Sequence, residues 1–522
     1  MLPQANKSWY WSEKNLEFAF ILNQFGVPMS RRLKNAQLQT LTLDSDGKVA
    51  LHQQLFLALR QAILDGRLKP DTRLPSSRSL AADLNISRNT VLSAYDQLTA
   101  EGYLVSRIGA GSFVSDQLPD DLLQRKTDGA HPDLRERDIY LSKMAAPFKG
   151  KVLRPANRGL PFSPGLPALE VFPFDDWARL LARHWRRPAR EYLVDNPIGG
   201  TKALREAVAS HLGQTRAVRC HADQVIILSG SQQAIHLVVR AFAEPGDAIW
   251  MEEPGYPGIR DSILAAGATP VSIPVDEEGF SLALAREIAP DARLACISPS
   301  HQYPLGQTMS LARRLDLLKW AKEEGRFILE DDYDSEYRYA GRPLSSLQGL
   351  DDDNRVLYVG TMSKVMFSGL RVGYMVVPED LVDVFLSLRR IIDNHSPAVP
   401  EAALADFINE GYLAAHVRRT RLLYEQRQKR LVTLLEDKLG DIVTVTGQES
   451  GMHLVAFLPP HIRDTEIERA AAESGMLVRA LSGFYNLPTD QTGLILGFAG
   501  TREEEMPHLV DKLAAIIRAR AK

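Results

Sequence analysis

The chain is poor in cysteine: 522 residues hold only Cys220 and Cys296, far apart and in no metal-binding or redox spacing. That excludes a disulfide framework and suits a reducing, cytoplasmic setting, with both thiols read as small buried hydrophobes. Strong charge of one sign is also missing. A formal net charge of −3 gives no global attraction to polyanions, so any basic surface must be local. Nor is there a run approaching the roughly 18 apolar residues that span a membrane. The FAFILNQFGV segment near the N-terminus is too short, follows acidic residues and lacks a cleavage site, so a signal peptide is rejected. Residues 1–36 show no clear period and form an unassigned extension.

What the chain does have, at 45% hydrophobic and 24% charged residues, is material for two or three folded domains. The most telling stretch is GTMSKVMFSGLRVGY, residues 360–374. It sets Lys364 between Thr361 and Ser363, with Arg371 seven positions later and flanked by Gly369 and Gly373. Lysine alone among the side chains forms an imine with an aldehyde, and arginine with hydroxyl and backbone donors suits a phosphate.

Earlier in the chain, LHQQLFLALRQAILDGRL repeats Leu51, Leu55, Leu59 and Ile63 at four-residue spacing, which predicts a helix ending at Gly66. LPSSRSLAADLNISRNTVLSAYDQLTAEGYLV then reads as two short helices. Ser76 or Ser77 caps the first, Asn85 and Ile86 turn the chain, and Ser87 caps the second. Val91, Tyr95 and Leu98 face inward, which leaves Arg88, Asn89 and Thr90 on the exposed start of a recognition helix. GYLVSRIGAGSFVSD follows as two strands with a Gly109-Ala110-Gly111 tip, a wing. Between residues 47 and 115 eight Lys/Arg face five Asp/Glu, a local surplus of three positive charges. LPSSR, SRNTV and the glycine-rich wing together resemble the winged helix-turn-helix of the GntR regulators. The resemblance implies contacts to double-stranded operator DNA from Arg78, Ser87, Arg88, Asn89, Thr90 and Gly109.

Past residue 116 the composition shifts to Asp, Gln, Pro, Arg and Lys, which reads as a linker over 117–158 with helical character near Asp138 to Met144. From Leu160 helical and β-rich stretches alternate, as in a mostly parallel sheet with helices on both faces. QVIILSGSQQAIHLVVRAF is a buried strand, a Gly230-Ser231 turn and a helix starting at Ser231, whose N-terminus favours an anion. DAIWMEEPGYPGIRDSI presents Tyr256 on a loop after a strand, and LACISPSHQYPLG ends another strand in a Pro/Gly loop. RFILEDDYDSEYRY runs from a buried strand, Phe327 to Leu329, into Glu330, Asp331, Asp332 and Tyr333. A carboxylate kept dry at such a strand end needs a cationic partner.

These five elements, in this order, resemble the fold type I aminotransferases, enzymes that use pyridoxal 5'-phosphate, from about Leu160 to the C-terminus. The resemblance implies that Lys364 holds the cofactor aldehyde as a Schiff base, Asp331 pairs with the pyridine nitrogen, Tyr333 bonds the ring oxygen and Tyr256 stacks on the ring. It assigns the phosphate to Ser231, Gln232, Thr361 and Arg371, with Gly230, Ser363 and Tyr303 also at the cofactor. A winged helix over 37–116 joined to such a domain over 159–522, whose small α/β subdomain starts near 385, resembles the MocR subfamily of bacterial regulators. EDDYDSEYRY, EEPGYPGIR and HQYPLG are close to that family's wording.

Two positions depart from working aminotransferases. Tyr303 stands where they have an asparagine, and Ile495 where they have the arginine that grips the substrate carboxylate, with Arg479 as a conceivable substitute. Near the C-terminus, GYLAAHVRRTRLLYEQRQKRL reads as an amphipathic helix with Leu422, Leu423 and Leu431 packed inward. The expectation is a homodimeric, cofactor-binding transcriptional regulator that senses pyridoxal phosphate, an amine or an amino acid and carries no metal. Its transaminase activity is expected to be weak or vestigial; the alternative is an active aminotransferase with an appended DNA-binding domain.

Overall fold

The computed structural model describes residues 43–44, 49–107, 109–118, 140–150, 159–339, 344–446 and 450–521. The expected N-terminal extension 1–36 and most of the expected linker lie outside the described residues. The chain divides into two compact units, Met1–Ile139 and Tyr140–Lys522, so the division falls within the segment read as a linker.

In the first unit the helix Leu51–Leu64 buries Leu55, Leu59 and Ile63, three of the four residues on its expected face. Ser76 caps the helix Ser77–Leu84 by accepting from the Ser79 N–H, and Asn85 turns the chain in the left-handed region at φ 54°. Ser87 caps the helix Arg88–Ala100, whose Val91, Tyr95 and Leu98 are buried. β1 (Leu104–Arg107) and β2 (Gly111–Val114) pair antiparallel, with Val105 opposite Phe113. All these elements share one core around Leu59, Leu80, Val91 and Leu98.

In the second unit the segment expected to be helical near 138–144 is not helical at residues 140–144; one 3-10 turn, Ala146–Phe148, follows. The Ser142 hydroxyl accepts from the Ala145 N–H at 3.2 Å, a local bond that competes with helix formation.

The large sheet contains β3 (Val225–Leu228), β4 (Ala248–Glu253), β5 (Thr269–Asp276), β6 (Gly279–Phe280), β7 (Leu294–Ile297), β8 (Phe327–Asp332), β9 (Val356–Thr361) and β10 (Gly373–Val376). Their spatial order is β3-β10-β9-β8-β7-β4-β5-β6. β4, β5, β7, β8 and β9 pair in parallel, while β10 runs antiparallel to both β9 and β3. Runs such as VIIL and LACI are buried at every position, as strands covered on both faces require. β8 extends through Asp332, so the three carboxylates expected just beyond the strand belong to it.

A smaller antiparallel sheet is ordered β11 (Thr444–Thr446), β12 (His453–Leu458), β14 (Thr492–Gly497), β13 (Arg479–Ala480). It packs with the long helix Tyr412–Leu439 and the helix Met506–Arg518 around Tyr424, Leu431, Leu454 and Leu513. One expectation fails on that long helix: Leu431 is buried, but Leu422 is 65% exposed and Leu423 only half-buried. The inward stripe runs Leu413, Val417, Thr420, Tyr424, Gln428, Leu431 and Leu435, and Leu422, two residues from Tyr424, falls on the opposite face.

Candidate functional site: a DNA-reading helix and a lysine-carboxylate pocket

On the winged-helix unit, Arg78, Ser87, Arg88, Asn89 and Gly109 are exposed and Thr90 is half-buried. Not all of them are equally available. The Ser87 hydroxyl accepts from the Thr90 N–H at 3.0 Å and shares a hydrogen bond with the Thr90 hydroxyl at 2.9 Å, so both serve the helix cap. The Arg88 Nε reaches Ser77 Oγ at 3.4 Å, which ties the recognition helix to the helix before it. Gly109 occupies φ +76° at the wing tip with open space around it.

On the other unit, the expected cofactor residues gather along one edge of the large sheet. Ser231, Tyr256, Tyr303 and Tyr333 follow the carboxyl ends of β3, β4, β7 and β8, and Lys364 follows that of β9. Because β10 is antiparallel, Arg371, just before it, returns to the same edge. Arg371 itself is left-handed at φ 55°. Its guanidinium lies against Gly230, where a built Cβ would stand 3.4 Å from Nη2. Gly373 allows this closeness: a side chain there would come within 2.7 Å of the Gly230 backbone. The Gly230-Ser231 turn, the N-terminus of the helix Ser231–Phe242 and Arg371 thus form a compact anion cradle.

Lys364 is half-buried and its Nζ donates to the Gly165 carbonyl at 3.3 Å. Gly165, at φ +69°, has no room for a side chain, since a Cβ would sit 2.2 Å from that Nζ. The three carboxylates of β8 divide by strand alternation. Glu330 accepts from the Leu347 and Gln348 N–H groups at 2.8 and 2.9 Å. Asp332 pairs with buried Arg216 at 2.8 Å and accepts from the Tyr358 hydroxyl at 2.6 Å. Asp331, between them, is buried, and its Oδ1 has no hydrogen-bond partner among the described residues. Burial pushes the Asp331 carboxyl up to about 7; Asp332 adds to the rise and the Lys364 charge opposes it. Nearby Glu252 is pushed up to about 8, chiefly by burial.

The residue types fit pyridoxal phosphate: an amine, an anion cradle and a dry carboxylate oxygen awaiting a cationic partner. Three details differ from the simplest assignment. The Gln232 side chain donates to Gly258 O and Ser262 Oγ, both at 2.9 Å, so it braces the Tyr256 loop and leaves only its backbone for an anion. Thr361 is buried, and its hydroxyl accepts from the Ser363 N–H at 3.2 Å, shaping the turn into Lys364. The Tyr333 hydroxyl lies 2.9 Å from His301 Nδ1. Burial, with Asp334 beside it, holds that phenol well above its ordinary range, so it keeps its proton at neutral pH.

Tyr303 meets Tyr256 and Tyr333 edge to face, at ring separations of 6.1 and 5.6 Å. Ile495 is fully buried beside Tyr303, Val455 and Phe484 in an apolar cluster. Arg479 is paired with Ile495 across β13 and β14, but is exposed and reaches Glu468 at 3.3 Å. Sequence reading missed Gly165, His301, His453 and Arg216. Gly165 had a signal in its SPGLP turn, whereas Arg216 lies 116 positions from its carboxylate and had none.

Two known families match. Residues 51–114 match the bacterial regulatory proteins of the gntR family, and residues 168–513 match aminotransferase class I and II. Over 489 residues the chain is 42% identical to the probable rhizopine catabolism regulatory protein MocR of Rhizobium meliloti, covering 92% of this chain and 96% of that one. It is 30% identical to the pyridoxine biosynthesis transcriptional regulator PdxR of Corynebacterium glutamicum, over 90% of this chain and 95% of that one. Among solved structures, the kynurenine aminotransferase of Pyrococcus horikoshii superposes with TM-score 0.65 at 26% identity, over 74% of this chain and 96% of that one. The α-aminoadipate aminotransferase LysN of Thermus thermophilus gives 0.67 at 26%, over 73% and 98%.

Proposed function

Since the chain belongs to the MocR-type GntR transcriptional regulators, with a gntR-family DNA-binding domain and a class I and II aminotransferase domain, we propose that it binds pyridoxal 5'-phosphate and regulates transcription according to what occupies that pocket. The observation that carries this reading is the buried Asp331 Oδ1, unpartnered and close enough to Lys364 for the two charges to interact. A carboxylate in that state favours a cationic neighbour such as a protonated pyridine nitrogen.

When bound, the cofactor supplies an aldehyde that an amine can capture and a ring that draws electrons. Lys364 is the residue that would hold it, and Asp331 would keep the ring nitrogen protonated. Gly230, Ser231 and Arg371 would grip the phosphate, with Gln232 and Thr361 shaping the cradle around it. Tyr333 would donate to the ring oxygen, and Tyr256 and Tyr303 would wall the pocket with aromatic surface. Ser363 presents its backbone to Thr361 and fixes the approach of Lys364.

The effector is pyridoxal phosphate itself, or an amine or amino acid that displaces Lys364 from it. A ligand that favours one arrangement of the small subdomain biases the operator-binding state by that difference in affinity. The buried aliphatic Ile495 offers no bidentate partner for an α-carboxylate, which supports a sensor over an efficient transaminase. A symmetric homodimer would place two recognition helices on paired half-sites.

Titration of the purified protein with pyridoxal phosphate and candidate amines, following absorbance and binding to adjacent promoter DNA together, tests the reading. The expected result is a visible absorbance band lost in Lys364→Ala, with DNA affinity responding to the ligand. Steady multi-turnover keto-acid production from common amino acids would overturn it in favour of the enzyme.

A further inference from the structure

The Tyr333 hydroxyl stands at the junction of the pocket and a second, fully enclosed polar group. His301 and Asp334 are both buried, at 4% and 1% exposure. His301 Nδ1 lies 2.9 Å from Asp334 Oδ1 and 2.9 Å from the Tyr333 oxygen. Gly451, at φ +85°, closes the far side, where a Cβ would fall 2.1 Å from His301 Cε1 and 2.9 Å from Asp334 Oδ2.

The direction of these bonds follows from the groups. A carboxylate oxygen accepts from a ring N–H, and with the Nδ1 proton facing Asp334 that nitrogen has no lone pair left for the tyrosine. The Tyr333 oxygen therefore accepts a share of the same proton. Its own O–H remains to be donated elsewhere, and Asp331, whose charge interacts with Lys364, is among the polar groups near it.

We propose that His301, fixed by Asp334 and held in place by the absence of a side chain at Gly451, is a positioning residue that keeps Tyr333 a hydrogen-bond donor to the cofactor ring oxygen. This rests on the pyridoxal phosphate reading above. The titratable groups that face Tyr333 are Asp334, Tyr303, Asp331 and Glu252, besides His301. Beyond His301 lies His453, pushed down to about 4 by burial and donating its Nε2 proton to the Pro304 carbonyl, so it is neutral around pH 7.

A bond donated to the ring oxygen would favour the anionic form of that oxygen. Removing the donor raises the pH midpoint of the cofactor's absorbance band. His301→Phe keeps the ring volume without the nitrogen and is expected to raise the midpoint by about one pH unit, in the same direction as Tyr333→Phe. The double variant is expected to match Tyr333→Phe alone, because both changes remove one interaction. His301→Asn, which restores an N–H near the same place, is expected to return the midpoint towards wild type. Gly451→Ala, which displaces the ring and deletes no donor, is expected to raise it. Effects of His301→Phe and Tyr333→Phe that add, or a midpoint unmoved by His301→Phe while Tyr333→Phe moves it, would overturn the inference and leave the pocket reading standing. A wild-type protein that takes no colour would overturn both.

Discussion

Glu253, the last residue of β4, holds Asn486 of the small subdomain by both carboxylate oxygens: the Asn486 N–H donates to Oε1 at 2.6 Å and its Nδ2 to Oε2 at 3.0 Å. The Leu487 N–H adds a third bond to Oε1 at 2.7 Å. Glu253 is itself 4% exposed, but Asn486 and Leu487 are exposed, so these donors turn to water when the carboxylate is lost. Glu253→Ala is expected to cost about 1–2 kcal/mol of stability in urea unfolding. The same variant is expected to weaken the retention of pyridoxal phosphate, measured as a faster loss of colour on dilution, because the Tyr256 loop begins at the next residue, Pro254.

Asp331 gives the unliganded protein a pH dependence whose sign is fixed by its shift. Its folded pKa of about 7 lies above the ordinary 3.8, so the folded state prefers the protonated carboxyl. The stability this contributes is full below about pH 4 and is lost as the pH rises through 7. Asp331→Asn, which cannot ionise, is expected to raise the unfolding free energy of the cofactor-free protein at pH 8 by on the order of 2 kcal/mol. It is also expected to lower pyridoxal phosphate affinity. Thermal melts at pH 5 and pH 8 check the sign, and a variant that melts below wild type at pH 8 contradicts it.

Gly165→Ala puts a methyl group where the Lys364 amine stands, at a left-handed φ of +69°. The backbone penalty alone is about 1 kcal/mol. The displaced lysine is expected to abolish the cofactor band while circular dichroism stays native.

Arg88→Ala removes an exposed cation from the start of the recognition helix. Promoter binding is expected to weaken and its dependence on salt to become shallower by about one counterion, as for one lost phosphate contact. A Ser87→Ala variant is expected to lose DNA affinity through the helix cap instead, with a lower melting temperature by the equivalent of about 1 kcal/mol.

Much of this fold is written locally. The Leu51, Leu55, Leu59, Ile63 stripe, the Ser76 and Ser87 caps and the left-handed Asn85 depend on residues within a turn of each other, so spacing alone predicts them. The order of strand-end motifs placed Lys364, Asp331 and Ser231 on one edge, because parallel strands all finish there, and the antiparallel β10 returns Arg371 to it. Non-local pairings were illegible. Nothing near Asp332 marks Arg216 as its partner, and nothing in HQYPLG tells that His301 turns towards Asp334 and not into solvent. The long helix Tyr412–Leu439 misled for a related reason. Its adjacent leucines, Leu422 and Leu423, allow two choices of inward face, and only the packing around Tyr424 decides between them.

The reversed direction of β10 has a genetic corollary. The excursion from Thr361 to Arg371 leaves and re-enters the same rim, so the Lys364 amine and the Arg371 guanidinium share one short tether. An insertion or deletion of a single codon between them would change the spacing of the amine and the guanidinium along that rim.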